Sequence, residues 1–230
     1  MNTALLILFS YVLGSIPTGY WLVKALKGID LTKVGSGSTG TTNVLRNAGK
    51  GAAIVVFLID ILKGYIPVTL GIYAVHHNWV PELAAVPGLD AWLPCICGII
   101  SMIGHSKSMF LQFKGGKSAA TGCGTLIGCS TLSGFTSLGF WGLVLFVTKI
   151  VSVASLAAAA TCGVFMWFYT QGDPKFHISF SIYATVGGLY VITRHKANIE
   201  RLLKGTEPRI GQKLQQQDDA SGAPSDKIGV

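Results

Sequence analysis

The sequence predicts an all-α, polytopic integral membrane bundle of about seven transmembrane helices, the fourth and fifth of them short or broken. Three observations lead there. Charged side chains make up 12% of the 230 residues, about half of the roughly 25% usual in a soluble domain. Half of the residues are hydrophobic and the mean hydropathy is +0.53. Charge-free windows recur along the chain at lengths that suit a bilayer core, which takes roughly 20 apolar residues per helix. The 29 glycines follow no every-third-residue period, which excludes collagen. They suit helices that approach closely in lipid.

The elements follow in order. Residues 5–23 form the first span. No basic n-region and no small-residue cleavage signature is present, and Pro17 and basic residues follow. A span is therefore expected rather than a cleaved signal. Residues 51–73 form the second span, interrupted by Asp60 and Lys63. Residues 91–104 are a short third. Residues 118–148 are too long for one straight helix and too short for two full ones. Their small, polar middle at 128–134 predicts a break. Residues 150–170 and 177–193 complete the set.

Charge decides how the broken window folds. If the chain turns back at the break, the segments 24–50, 107–117 and 194–230 lie on one side together with Lys149. That side then holds 16 of the 18 Lys and Arg residues. Only Lys175 lies opposite, and Lys63 sits within a span. A straight helix would send Lys149 and the basic C-terminal segment across. The positive-inside rule selects the fold-back, with the N-terminus outside and the C-terminus cytoplasmic. The window then makes either two short spans or a re-entrant hairpin. Trp79 and Trp92 suit interfacial anchors of the outer loop. Residues 1–211 read as one transmembrane domain. The Gln-rich segment 212–230 reads as a disordered cytoplasmic tail. The five cysteines lie in apolar windows without zinc-type spacing and read as free, buried thiols.

Three polar segments carry the chemistry, and charge counting places all three on the cytoplasmic side. The first, residues 35–46, is a Gly/Ser/Thr run whose backbone N–H groups and hydroxyls can face one anion. Gly37, Gly40 and Thr42 belong to that cradle, and Arg46 can add a bidentate grip on phosphate. A plain linker would need neither Asn43 nor Arg46. The second joins Gly104-His105 to residues 113–118. Gly115 and Gly116 let the backbone approach a ligand, Lys117 brings charge, and a helix starting near Ser118 would aim its dipole at the same place. The Walker spacing is absent, because Leu111 stands where its first Gly would be. The third runs from Arg194 to Gly205. On a helix His195 and Asn198 share a face, flanked by Arg194 and Arg201. The alternative for this segment is an amphipathic interfacial helix. Asp60 and Lys63 are expected to pair inside the bundle, either structurally or beside the site.

Several chemistries lack their parts. There is no carboxylate cluster for two metals or an acid–base pair, no G-x-S-x-G elbow, and no His followed five residues on by Asp. No metal or cofactor is expected, and no nucleic-acid partner. What remains is a cationic, glycine-rich site for a small phosphorylated molecule beside lipid.

The ordered set of motifs resembles the PlsY family of bacterial membrane acyl-phosphate:glycerol-3-phosphate acyltransferases. It comprises Gly14-Ser-Ile-Pro-Thr-Gly19, the loop 35–46, Asp60-x-x-Lys63-Gly64, Gly104-His105, residues 113–117, Arg194-His195-x-x-Asn198 and Gly211. The resemblance spans residues 5–211. It implies transfer of a fatty acyl group from a long-chain acyl phosphate to the sn-1 hydroxyl of glycerol 3-phosphate, in the bacterial cytoplasmic membrane. It also implies cooperation with a soluble acyl-phosphate synthase. By position, Ser36, Asn43, Arg46, Lys117, His195 and Asn198 match residues expected to hold phosphate groups and acceptor. Lys117, His195 and Arg46 are the expected catalytic residues. Ser152, Ser155 and His105 follow in a second rank. The sequence departs from the family pattern at Ser38, at Lys107-Ser108 and at Ser118, so neither Ser38 nor Lys107 is assigned as a ligand. The rival expectation is a transporter for a small phosphorylated metabolite, with its site near the bilayer midplane.

Overall fold

The structure is a computed structural model and describes residues 3–212. The predicted tail therefore lies, apart from Gln212, outside the described residues. Among the described residues ten α-helices follow one another: α1 Thr3–Ser15, α2 Thr18–Lys27, α3 Thr41–His76, α4 Pro81–Ala84, α5 Leu93–Ser106, α6 Ala119–Cys129, α7 Thr131–Thr148, α8 Val151–Thr170, α9 His177–Arg194 and α10 Lys196–Leu203. Among the described residues there is no strand.

Among the described residues four segments are long and apolar enough to cross a bilayer: the α1–α2 pair, α3, α7 and α8. Their outward faces carry bare large apolar side chains, such as Leu58, Leu62, Phe146, Val147 and Phe168. A soluble surface does not tolerate so many in contact with water.

The predicted first span is not continuous. Pro17 has no N–H to extend the helix, and α1 ends at Ser15. The freed carbonyls find donors elsewhere, as a bilayer requires. Ser108 Oγ donates to the Ser15 carbonyl at 2.5 Å, and Lys63 Nζ donates to that of Ile16 at 3.0 Å. Pro67 creates the same problem within α3, because the Lys63 carbonyl loses its helical donor. Ser101 Oγ supplies one at 2.6 Å. Asp60 sits 2.7 Å from Lys63 Nζ, and both side chains are buried. The pair is thus part of the joint between α1, α3 and α5.

α3 begins ten residues before the predicted span. Gly49 adopts φ 86°, ψ −179°, which splits α3 into a polar first part and an apolar remainder. Only a residue without Cβ takes that conformation cheaply.

The broken window breaks at Ser130, which takes extended φ/ψ. Gly134 then packs against the backbone of Ile127, so α7 folds back along α6. α6 has 11 residues, roughly 16 Å of helix, about half a bilayer core. The far end of α7 confirms the fold-back. The Lys149 carbonyl accepts a hydrogen bond from Ile210 N at 2.8 Å, so Lys149 lies beside the basic C-terminal segment. At the opposite end Lys175 pairs with Asp90 at 2.9 Å, joining the two loops predicted to lie together.

Helices pack mainly as α8 on α9, α3 on α6, α1 on α5 and α7 on α8. Close approach needs small residues. A Cβ on Gly64 would overlap the Thr121 carbonyl, and one on Gly188 the Ala159 carbonyl. The five cysteines are free, as predicted; Cys95, Cys97 and Cys162 are buried, but Cys123 and Cys129 are only half-buried.

Candidate functional site

The three polar segments converge at one end of the bundle. Asn43, buried near the start of α3, organises the first. Its amide NH2 donates to the carbonyls of Leu31, Val34 and Ser38 at 2.9–3.2 Å. Asn43 thus shapes the loop that carries Ser36 and Gly40, with its own donors already engaged. Arg46 follows one turn later on α3.

The second segment is folded over His105. Gly116 N donates to the His105 carbonyl at 3.0 Å. A Cβ on Gly115 would overlap that carbonyl, and one on Gly116 the imidazole itself. The Gly pair is therefore required by the approach of backbone to His105. Ser118 Oγ donates to the Met102 carbonyl at 2.7 Å and Ser118 caps α6 with φ 63°. Lys117 is left at the positive end of α6, reaching the third segment. Its Nζ donates to Asn198 Oδ1 at 2.6 Å.

The third segment turns from α9 into α10 at His195. His195 Nδ1 lies 2.7 Å from the Val191 carbonyl. A carbonyl only accepts, so Nδ1 carries the proton and Nε2 keeps its lone pair. Asn198 and His195 are both buried, with His195 at the turn between the two helices. Glu207 closes the ring: it accepts from Ser152 Oγ at 2.8 Å, from Asn198 Nδ2 at 2.6 Å and from Arg201 Nε at 2.6 Å.

These groups line a cavity of about 270 Å3. Ser36, Gly40, Thr42, Asn43, Arg46, Lys117, Asn198, His195, Ser152 and Ser155 are on its wall, with His105 and Asp60. Gly37, Gly115, Gly116, Arg194 and Lys63 are not on it. Arg194 instead directs its guanidinium at the Ser106 carbonyl, 3.5 Å away. The cavity has two characters. One end holds Arg46, Lys117 and Arg201 with the Glu207 carboxylate beside them. The rest runs between Phe57, Leu126, Leu138, Trp141, Leu145, Ala158 and Gly187, contributed by α3, α6, α7, α8 and α9.

Burial tunes the basic groups. Desolvation, with the repulsion of Arg201 next, brings the Lys117 ammonium down to about 8. Desolvation likewise lowers His195 to about 4, so its imidazole is neutral at neutral pH. Burial pushes the Glu207 carboxyl up, but hydrogen bonds from Asn198, Ser152 and Arg201 outweigh it and hold the group below the usual carboxylate range. Among the described residues no three His, Cys, Asp or Glu side chains gather to hold a metal ion.

A family model described as glycerol-3-phosphate acyltransferase matches residues 4–205. The chain belongs to the glycerol-3-phosphate acyltransferase family. A glycerol-3-phosphate acyltransferase of Nostoc sp. is 45% identical over 212 residues, covering 90% of this chain and 92% of that protein. One from Synechococcus sp. is 47% identical, covering 94% and 99%. Among solved structures, the crystal structure of PlsY, an integral membrane glycerol 3-phosphate acyltransferase, in its glycerol 3-phosphate form is similar with a TM-score of 0.78. Identity is 36%, over 91% of this chain and 96% of that one. The lysophosphatidic acid form gives a TM-score of 0.75 at 34% identity, over 91% and 95%.

Within this acyltransferase fold, sequence reasoning missed Glu207 and Trp141. Glu207 follows a helix end in a polar stretch, and nothing in its local spacing marks it. Its partners come from α8 and α10, so only the folded chain shows them. Trp141 reads as one more apolar residue of α7, yet its indole donates to Ser155 Oγ at 3.2 Å on the cavity wall.

Proposed function

We propose that the protein transfers a fatty acyl group from an acyl phosphate to the sn-1 hydroxyl of glycerol 3-phosphate, giving lysophosphatidate and inorganic phosphate. The observation that carries this is the amphipathic cavity: cationic at one end, apolar along the rest. Such a site suits a molecule that is phosphate at its head and hydrocarbon behind it. In this proposal the apolar arm takes the acyl chain, and the loop 35–46 with Arg46, Lys117 and Arg201 takes the phosphate groups. The cationic end faces the cytoplasm, where both glycerol 3-phosphate and a soluble acyl-phosphate synthase would reach it. The membrane is the bacterial cytoplasmic membrane, with the N-terminus outside.

The chemistry needs no enzyme nucleophile, because the acyl phosphate is already activated. The acceptor hydroxyl oxygen attacks the carbonyl carbon, an ester C–O bond forms, and the anhydride C–O bond breaks. Phosphate departs with the electron pair. Arg46, Lys117 and Arg201 offset the repulsion between two anionic substrates and stabilise the departing phosphate. Binding aligns hydroxyl and carbonyl. The hydroxyl proton goes to a phosphate oxygen. Burial lowers the His195 imidazole to about 4 and leaves it a weak base, which favours the phosphate oxygen as the acceptor. His195, through Nε2, orients the hydroxyl.

The test supplies labelled glycerol 3-phosphate to protein purified in lipid, with palmitoyl phosphate, palmitoyl-CoA or palmitoyl-carrier protein in parallel. Lysophosphatidate from the acyl phosphate alone is the expected result. Product only from the thioesters would overturn the donor assignment.

A further inference from the structure

We infer that Glu207 is a positioning residue of the anion site: its carboxylate sets the direction of the Asn198 amide and, through that amide, the place of the Lys117 side chain. The inference rests on the acyltransferase reading above. An ionised carboxylate only accepts hydrogen bonds. Whichever group of Asn198 faces Glu207 must therefore be the NH2. The two ends of an amide are unlike, so Oδ1 is turned the other way, towards Lys117 Nζ. The observed distances are 2.6 Å on each side of Asn198. With the amide reversed, the NH2 would face the ammonium and the relay would fail at both ends.

The carboxylate is itself held firmly enough to do this. Arg201 grips Oε2, while Ser152 of α8 and Asn198 of α10 share Oε1. The Glu207 side chain is only 5% exposed. The backbone on either side is fastened too: Thr206 N donates to the Arg201 carbonyl and Ile210 N to the Lys149 carbonyl, both at 2.8 Å. One side chain thus ties the start of α8 and the face of α10 to the lysine at the start of α6.

Glu207 also has an electrostatic part. Lys117 feels the charge of Arg201 from α10, Arg46 from α3 and, least, Arg194 from α9, whose guanidinium points to the Ser106 carbonyl; Lys117 in turn acts on His195. Glu207 is the acidic member of that set. Its charge favours the protonated lysine, against burial and three guanidinium groups. Removing the charge lowers the pH at which Lys117 loses its proton.

The experiment compares wild type, Glu207→Gln and Glu207→Asp in lipid nanodiscs, with folding checked by size exclusion. It reads kcat and KM for glycerol 3-phosphate across pH. It also reads the pH dependence of Lys117 acetylation by acetic anhydride, followed by mass spectrometry. Glu207→Gln is expected to raise KM by about tenfold and to move both the alkaline limb and the Lys117 labelling midpoint to lower pH. Glu207→Asp keeps the charge but withdraws the carboxylate by one methylene. It is expected to raise KM and leave the limb in place. A Gln variant with wild-type KM and labelling midpoint overturns the inference. So does a drop in kcat alone, which a loosened fold would also give. If the Gln variant does not fold, an Asp variant with unchanged KM overturns it equally. A wild type inactive with every donor rejects the acyltransferase reading instead, and the labelling midpoint still decides the role of Glu207.

Discussion

Lys63 Nζ donates to the carbonyl of Ile16 at 3.0 Å, at the point where Pro17 interrupts the first membrane segment. The same ammonium lies 2.7 Å from Asp60. A charged residue in an apolar span and a proline in another span thus answer one another. The broken helix offers a carbonyl, the buried lysine needs acceptors, and Asp60 balances the charge.

Lys63→Met should therefore unfold the joint. It leaves Asp60 buried without its counter-ion and removes a donor at the helix break. Removing one partner of a buried pair costs about 3–5 kcal/mol. Thermal unfolding in detergent is expected to show a large loss of stability, partly restored by adding Asp60→Asn. An unchanged midpoint for Lys63→Met would show that the pair carries no structural role.

Adjacent glycines of α9 should respond in opposite ways. A methyl on Gly188 overlaps the Ala159 carbonyl, so Gly188→Ala must separate α8 from α9. Overpacking of this kind costs about 1–3 kcal/mol. A methyl on Gly187 meets nothing nearer than the Met102 thioether at 3.8 Å, and Gly187 lines the cavity. Gly187→Ala should leave stability unchanged. Gly187→Leu should intrude on the apolar arm and lower the use of palmitoyl relative to lauroyl phosphate roughly tenfold. Equal use of both donors by the Leu variant would place the acyl chain elsewhere.

The lowered pKa of Lys117, about 8, gives a pH dependence of definite sign. The ammonium is present below that value and is lost as pH rises through it. kcat/KM for glycerol 3-phosphate should therefore fall above about pH 8, approaching roughly tenfold per unit. Lys117→Arg keeps its charge throughout and should show no such limb, with a lower plateau because a guanidinium is larger and planar. A limb that persists in the Arg variant would belong to another group.

His195→Gln separates orientation from proton transfer. General-base catalysis contributes about 10²–10⁴-fold. If a phosphate oxygen takes the proton and His195 only orients the hydroxyl, kcat should fall by about tenfold, evenly between about pH 5 and 9. A loss beyond a hundredfold would make the imidazole the base.

The sequence by itself determined the all-helical membrane class, because hydropathy acts over whole windows and needs no partner. It placed the break in residues 118–148 within a few positions of Ser130, since a polar, small stretch stands out against apolar surroundings. Charge counting alone put Lys149 at the basic end, and the Lys149–Ile210 hydrogen bond bears that out. It also gathered Arg46, Lys117, His195 and Asn198 into one site, because each follows or precedes a span on the same side. Tertiary structure decided what distance in the chain conceals. Asn43 spends its donors on its own loop, and the Gly115-Gly116 pair makes room for His105. Arg194 turns away to Ser106. Glu207 has no local signature, yet it stands among Ser152, Asn198 and Arg201. Hydrogen bonds act over about 3 Å, and only folding brings residues so far apart in the chain within that reach.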